Sequence, residues 1–307
     1  MRARISIAFL APVLLLTPWA VAAQTAAPTA TAPVPHGTLN LVAEAPAIQP
    51  HSDLWLAFQF TLEPGWHLYW SNPGDSGAAP RLNWRLPAGL NAGAISWPTP
   101  KRLPVSGMMD YGYTDNAVLL VPIHSAAGLT VGTTAELGVE VRVVVCRELC
   151  IPGRAQLALR LPIRTSLAGA TARPLPQTAN LFAAARSRLP RPVPSEWNIR
   201  VQETKSEFLL DIETGRSISR ATFFPLVEQE IENTAPQPVE AKARGFQMRL
   251  RKADSLAHTV KRLRGVLVMD ETAYALDAPL AAPGSASGGR SPLVRPASSG
   301  VRFGQTQ

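Results

Sequence analysis

Cysteine is almost missing from this sequence: of 307 residues only Cys146 and Cys150 carry a thiol. No four-ligand zinc site is visible. Long apolar runs are missing as well. After the N-terminal segment none approaches the ~18 residues that a membrane helix needs, so no stable membrane insertion is expected. Acidic residues are absent between Glu148 and Glu196 and again after Asp277, while arginines recur in both stretches. The net charge of +8 is therefore local, and no Arg-rich helix or aromatic-interleaved basic patch goes with it. That argues against nucleic acid and leaves a mild attraction to an acidic partner or surface. Nucleophile-elbow, Walker and dinucleotide motifs are absent, so those classes of catalysis lack support.

What is present reads as an exported β-protein. Arg2 and Arg4 precede the apolar stretch Ile5 to Leu16, and Val21-Ala22-Ala23 offers small residues for cleavage. This is a signal-peptide pattern over residues 1–23, with the mature chain expected from near Gln24 in an oxidising compartment, the periplasm. Helical periodicity is scarce, and Pro and Gly punctuate short alternating segments. An all-β protein of sandwich type is expected, in two domains. A disordered Ala/Pro/Thr-rich leader is expected over 24–37, a β-sandwich over 38–164 and a Pro-rich linker over 165–194 with a helix-compatible segment, Asn180 to Arg188. A second, smaller β-domain is expected over 195–280, including one strand from Ala241 to Leu250, and a disordered tail over 281–307. The segment Lys101 to Asn116 mixes apolar and aromatic residues without a clean period. It reads as a loop that must pack onto something.

The cysteines stand at the tip of an expected hairpin. Val139, Val141, Val143 and Val145 alternate with Glu140 and Arg142 before it, and Leu157, Leu159 and Leu161 alternate with polar residues after it. Cys146 shares parity with Glu140 and Arg142 and is expected on the polar face. A structural disulfide closing so short a ring removes little chain entropy, ~2 kcal/mol against ~4.7 for a hundred-residue loop. A redox-active dithiol has a better use for the position. Two thiolates holding Cu(I), with Met108 or Met109 as soft ligands, is a third reading. The residues alone leave the three open, and His124 reads as a strand residue.

Several stretches together resemble the periplasmic N-terminal region of thiol:disulfide interchange proteins of the DsbD type, nearest the ScsB-like branch. They are Pro64-Gly65-Trp66-His67-Leu68-Tyr69-Trp70, Asn72-Pro73-Gly74-Asp75-Ser76-Gly77, Tyr111-Gly112-Tyr113, Val145-Cys146-Arg147-Glu148-Leu149-Cys150-Ile151-Pro152, Phe223-Phe224-Pro225 and Ala235-Pro236-Gln237. The likeness covers about residues 38 to 280. It implies an immunoglobulin-like sandwich whose Cys146–Cys150 disulfide exchanges electrons without a cofactor or metal, making the chain a protein-disulfide reductase that acts as a relay. The donor would be a separate transmembrane electron-transfer protein, because the family's membrane region and thioredoxin domain are not seen here. The acceptors would be periplasmic thioredoxin-like proteins, in the setting of cytochrome c biogenesis or copper tolerance. By analogy Cys150 is attacked by the donor thiolate and Cys146 forms the mixed disulfide with the acceptor. The family's cap loop falls on Met109, Asp110, Tyr111, Gly112 and Tyr113, with Tyr111 as the ring over the disulfide and Asp110 tuning the cysteines. The reading of another class is a copper- or partner-binding module with a structural disulfide.

Overall fold

The computed structural model describes residues 28–165 and 176–281. The expected signal peptide, residues 166–175 and all but the first residue of the expected tail lie outside them. In chain order the strands are β1 (Thr29–Val34), β2 (Gly37–Ala43), β3 (Asp53–Leu62), β4 (His67–Gly74), β5 (Arg81–Arg85) and β6 (Leu90–Ala92). Next come β7 (Lys101–Val105), β8 (Met108–Thr114), β9 (Asn116–Ser125), β10 (Thr134–Cys146) and β11 (Cys150–Pro162). Helix α1 (Pro176–Ser187) leads to β12 (Arg191–Pro192), β13 (Asn198–Glu203), β14 (Glu207–Glu213) and β15 (Ala221–Pro225). The last strands are β16 (Val239–Lys242), β17 (Gly245–Arg251), β18 (Arg262–Met269) and β19 (Thr272–Pro279).

These build an all-β, immunoglobulin-like unit followed by a smaller β-unit. One sheet of the first runs β1-β2-β3-β9-β6; the other runs β11-β10-β4-β8-β7, with β5 also on β10. Period-2 alternation sends Leu54, Leu56, Phe58 and Phe60 inward from β3, where they meet Val139, Val141, Val143 and Val145 of β10 in one apolar cluster. The second unit stacks β12-β19-β18-β15 against β13-β14-β17-β16 around Phe208, Phe223, Phe246 and Leu267. No helix among the described residues is long and apolar enough to cross a membrane.

Four expectations are corrected. The leader is not disordered from Thr29 onward, because it forms β1 against β2. Its Ala/Pro/Thr composition hides an alternation that buries Ala32 and Val34. The loop expected over Lys101 to Asn116 is the hairpin β7–β8. It shows no period because Asp110, Tyr111, Gly112 and Tyr113 are all buried, so both faces of β8 are covered. The helix-compatible segment expected over Asn180 to Arg188 is α1, but it is no free linker: it docks Phe182 and Ala185 on Val42, Ala57 and Leu120 of the outer sheet face and pairs Arg186 with Glu44 at 2.6 Å. The strand expected from Ala241 to Leu250 is broken by a turn at Ala243 and Arg244 into β16 and β17.

The two units meet through rings. Phe224 of β15 stands edge-on to Tyr111 (5.3 Å between centroids) and Trp70 (6.3 Å), so the first core continues into the second unit. Adjacent Phe223 points the opposite way into the second core, as the strand alternation requires.

Candidate functional site

Strands β10 and β11 pair in register from Thr134↔Pro162 to Cys146↔Cys150, and the cysteines close the hairpin as a disulfide. On its other side β10 is paired by β5 up to Arg142 and then by β4, which sets His67 opposite Cys146 and Leu68 opposite Val145. That pairing corrects the expectation for Cys146. It keeps the predicted parity but is only 2 % exposed, because β4 covers the strand end. Cys150 is exposed, as are Arg147, Glu148 and Leu149 between the two cysteines. The two cysteines of the disulfide are therefore unequally exposed. The order in which Cys146 forms a mixed disulfide is disfavoured by its burial.

Behind Cys150 lies a polar cluster drawn from β4, β8 and the bend after β4. Tyr69 and His67 project from the same face of β4, edge to face with their rings 5.1 Å apart. The Tyr69 hydroxyl lies 3.3 Å from Cys150 Sγ, 3.2 Å from Ser76 Oγ and 3.4 Å from Asp110 Oδ2. Burial, against the lowering effect of the Ser76 hydrogen bond and with the added repulsion of Asp110, pushes the Tyr69 phenol up to about 12. It is thus an O–H donor at any physiological pH. Asp110 is fully buried and accepts from Ser76 N (3.0 Å) and Ser76 Oγ (2.9 Å). His67 Nε2, buried without a hydrogen-bond partner, is 3.7 Å from Asp110 Oδ2. Two glycines make room for this. A Cβ on Gly77, at φ +72°, would fall 2.0 Å from the Tyr69 ring, and one on Gly112 would fall 2.1 Å from the Leu68 carbonyl.

The rim of the site is cationic and aromatic. His36 stacks on Trp66 with centroids 3.6 Å apart, and the Arg147 guanidinium lies 5.2 Å from the same indole. Leu149, 76 % exposed, is the apolar tip of the hairpin.

The predicted cap is divided by the strand it forms. Asp110 reaches the site. Tyr111 does not serve as its lid: it points to the opposite face of β8, against Trp70 and Phe224, and donates from its hydroxyl to Asn233 Oδ1 at 2.9 Å. Tyr113 lies on that same face and donates to the Pro98 carbonyl. Met109 is half-buried against the core and Met108 is exposed. His124 pairs with Asp53 on adjacent strands at 2.7 Å. Among the described residues no group of three His, Cys, Asp or Glu side chains converges as a metal cradle. Tyr69, His67 and Ser76 were not predicted as site residues. The available signal was the i, i+2 parity of His67 and Tyr69 within a stretch that already carried the family likeness.

Residues 39–162 match the family described as thiol:disulfide interchange protein DsbD, N-terminal. Among solved structures, the N-terminal periplasmic domain of ScsB from Proteus mirabilis superposes with a TM-score of 0.61 at 18 % identity, over 80 % of this chain and 93 % of that one. The YadV chaperone aligns over 78 % of this chain and 99 % of its own with a TM-score of 0.21 at 10 % identity, which carries no argument. No curated protein matches.

Proposed function

Residues 39–162 form a DsbD/ScsB-type N-terminal domain, and from that premise we propose that this chain passes electron pairs by thiol–disulfide exchange through Cys146 and Cys150. The observation that carries the proposal is the asymmetric disulfide, with Cys150 an exposed residue backed by a protonated phenol and Cys146 buried. Members of this family work with membrane and periplasmic thioredoxin-like partners. The corresponding partners for this chain, in the periplasm, are a membrane electron transporter as donor and an oxidised thioredoxin-like protein as acceptor.

The steps balance as follows. A donor thiolate attacks Cys150 Sγ in line with the disulfide, forming a mixed disulfide and expelling Cys146 as thiolate. A second donor thiol then attacks the mixed disulfide, and Cys150 leaves as thiolate. The net change is two electrons gained, leaving two thiolates; the donor is oxidised to its disulfide, and a proton is taken up only where a thiolate is held as the thiol. Delivery reverses the roles: Cys150 thiolate attacks the acceptor disulfide, and Cys146 thiolate attacks Cys150 Sγ to release the reduced acceptor. The Tyr69 O–H has one proton to donate. With the disulfide closed it turns to Asp110, a better acceptor than a bridging sulfur; with Cys150 reduced it turns to the thiolate. That turn favours Cys150 as leaving group and raises the fraction of it present as thiolate for the next attack.

Trapping tests the assignment. Cys146→Ala keeps the open nucleophile without its resolving partner and accumulates mixed disulfides with oxidised thioredoxin-like proteins, while Cys150→Ala does not. Equal trapping by both variants, or by neither, would remove the exchange mechanism.

A further inference from the structure

We infer that the second unit holds the redox site in its working geometry, with Asn233 as the positioning residue; this rests on the exchange reading above. Asn233 is buried in the bend between β15 and β16, yet its hydrogen bonds go to the first unit. Its side-chain N–H donates to Asp75 Oδ1 at 2.7 Å, its Oδ1 accepts from Tyr111 Oη at 2.9 Å, and its carbonyl accepts from Arg102 Nη2 at 2.6 Å. Asn72 returns the contact, donating to the carbonyls of Pro225 (2.9 Å) and Val227 (3.3 Å).

Adhesion between the units is already supplied by the Trp70–Tyr111–Phe224 rings, so this directional set has another consequence. Its contacts in the first unit fall on residues flanking the sulfur cluster. Asp75, fixed by Asn233, accepts from Met109 N at 2.7 Å through Oδ2 and donates its own N–H to the Met109 carbonyl at 3.1 Å. Those bonds clamp the bend after β4 to β8 one residue before Asp110. The next residue of the bend, Ser76, binds Asp110 through both its N–H and its hydroxyl. Asp110 and Ser76 then fix Tyr69 Oη, which touches Cys150 Sγ. The route from Asn233 to sulfur runs by hydrogen bonds to Asp75 and Met109, along the backbone from Met109 to Asp110, and by hydrogen bonds again through Tyr69 to Cys150. An amide suits its head, because it donates to a carboxylate and accepts from a phenol at once.

The test compares wild type, Asn233→Ala, Asn233→Asp and a control, Phe208→Leu, which thins the second unit's own core without touching the clamp. Reduction of the disulfide by a small thiol is followed against pH, with thermal unfolding alongside and hydrogen exchange at the Met109 to Tyr111 amides. Asn233→Ala is expected to change the reduction rate by about 3- to 10-fold and to displace its pH profile, on the scale of one ordinary hydrogen bond lost at the head of the route. Asn233→Asp, which sets a second carboxylate against Asp75, is expected to change it further. The control should lower the melting temperature and leave rate and profile unchanged. Wild-type rate, profile and amide protection in Asn233→Ala, or a control that shifts the rate as much, would overturn the inference. A wild-type disulfide that no small thiol reduces would instead sink the exchange reading, and amide protection would still judge the clamp.

Discussion

Among the described residues two acidic side chains are withdrawn from water, Asp110 beside the disulfide and Glu230 in the second unit, with side chains 1 % and 4 % exposed. Asp110 is surrounded by donors: the Ser76 amide and hydroxyl, the Tyr69 phenol and, farther off, His67. Glu230 has His258 Nε2 at 3.8 Å from Oε1, while its Oε2 has no hydrogen-bond partner among the described residues. Burial pushes its carboxyl up from 4.5 to about 7, only partly offset by Arg264. Similar burial thus leads to different chemistry. A satisfied carboxylate is part of a built polar site, whereas an unsatisfied one is a local instability that depends on pH.

Removing the satisfied acid should have the largest effect. Asp110→Ala leaves the Ser76 amide and the Tyr69 hydroxyl buried without their acceptor, and a loss of about 3 kcal/mol is expected in denaturant unfolding. A loss below about 0.5 kcal/mol would show that the cluster is not structurally built around this carboxylate.

The unsatisfied acid behaves differently. Between pH 4.5 and about 7 the unfolded chain has released the Glu230 proton that the folded chain still holds. Its stabilising contribution is therefore full below pH 4.5 and is lost as pH rises through this window, on the order of 2–3 kcal/mol in total. The cationic groups near it, Lys261, Arg262 and Arg264, reduce that loss if they approach the carboxylate once it forms. Glu230→Gln should flatten this part of the pH–stability curve and gain on wild type at pH 8. Parallel curves for the two proteins would contradict the assignment.

The smallest effect sharpens the role of the phenol. Tyr69→Phe removes the O–H that faces Cys150 while keeping the ring. The Cys150 thiol of the reduced protein should titrate higher, because its thiolate loses a hydrogen-bond donor, followed by thiolate absorbance, with about 1 kcal/mol or less of stability lost. An unchanged titration would mean that the hydroxyl serves Asp110 and Ser76 alone.

The hairpin that carries the cysteines was readable from sequence because one face of β10 is core and the other is not, so Val139 to Val145 alternate cleanly. Strand β8 was not readable for the opposite reason. Both of its faces are buried, Asp110 toward the sulfur cluster and Tyr111 toward Phe224, which leaves no polar–apolar alternation to detect. The likeness placed Asp110 and Tyr111 together as one cap, but neighbouring residues of a strand point to opposite sides. Tyr69 reaches Cys150 across 81 positions and Asn233 reaches Asp75 across 158. Neither pairing leaves a local pattern, since both come from how β4 meets β10 and how the second unit docks. Leader composition misled in a simpler way: Ala and Thr pair well in β1 once Ala32 and Val34 are buried.

The central claim is that the Cys146–Cys150 disulfide exchanges rather than staples. Its reduction potential, measured by equilibrating the protein with thiol redox buffers, tests that most directly. A relay predicts a value among the thioredoxin-like exchangers, roughly −180 to −270 mV. A value well below about −300 mV would mark a resistant structural bridge and contradict the account.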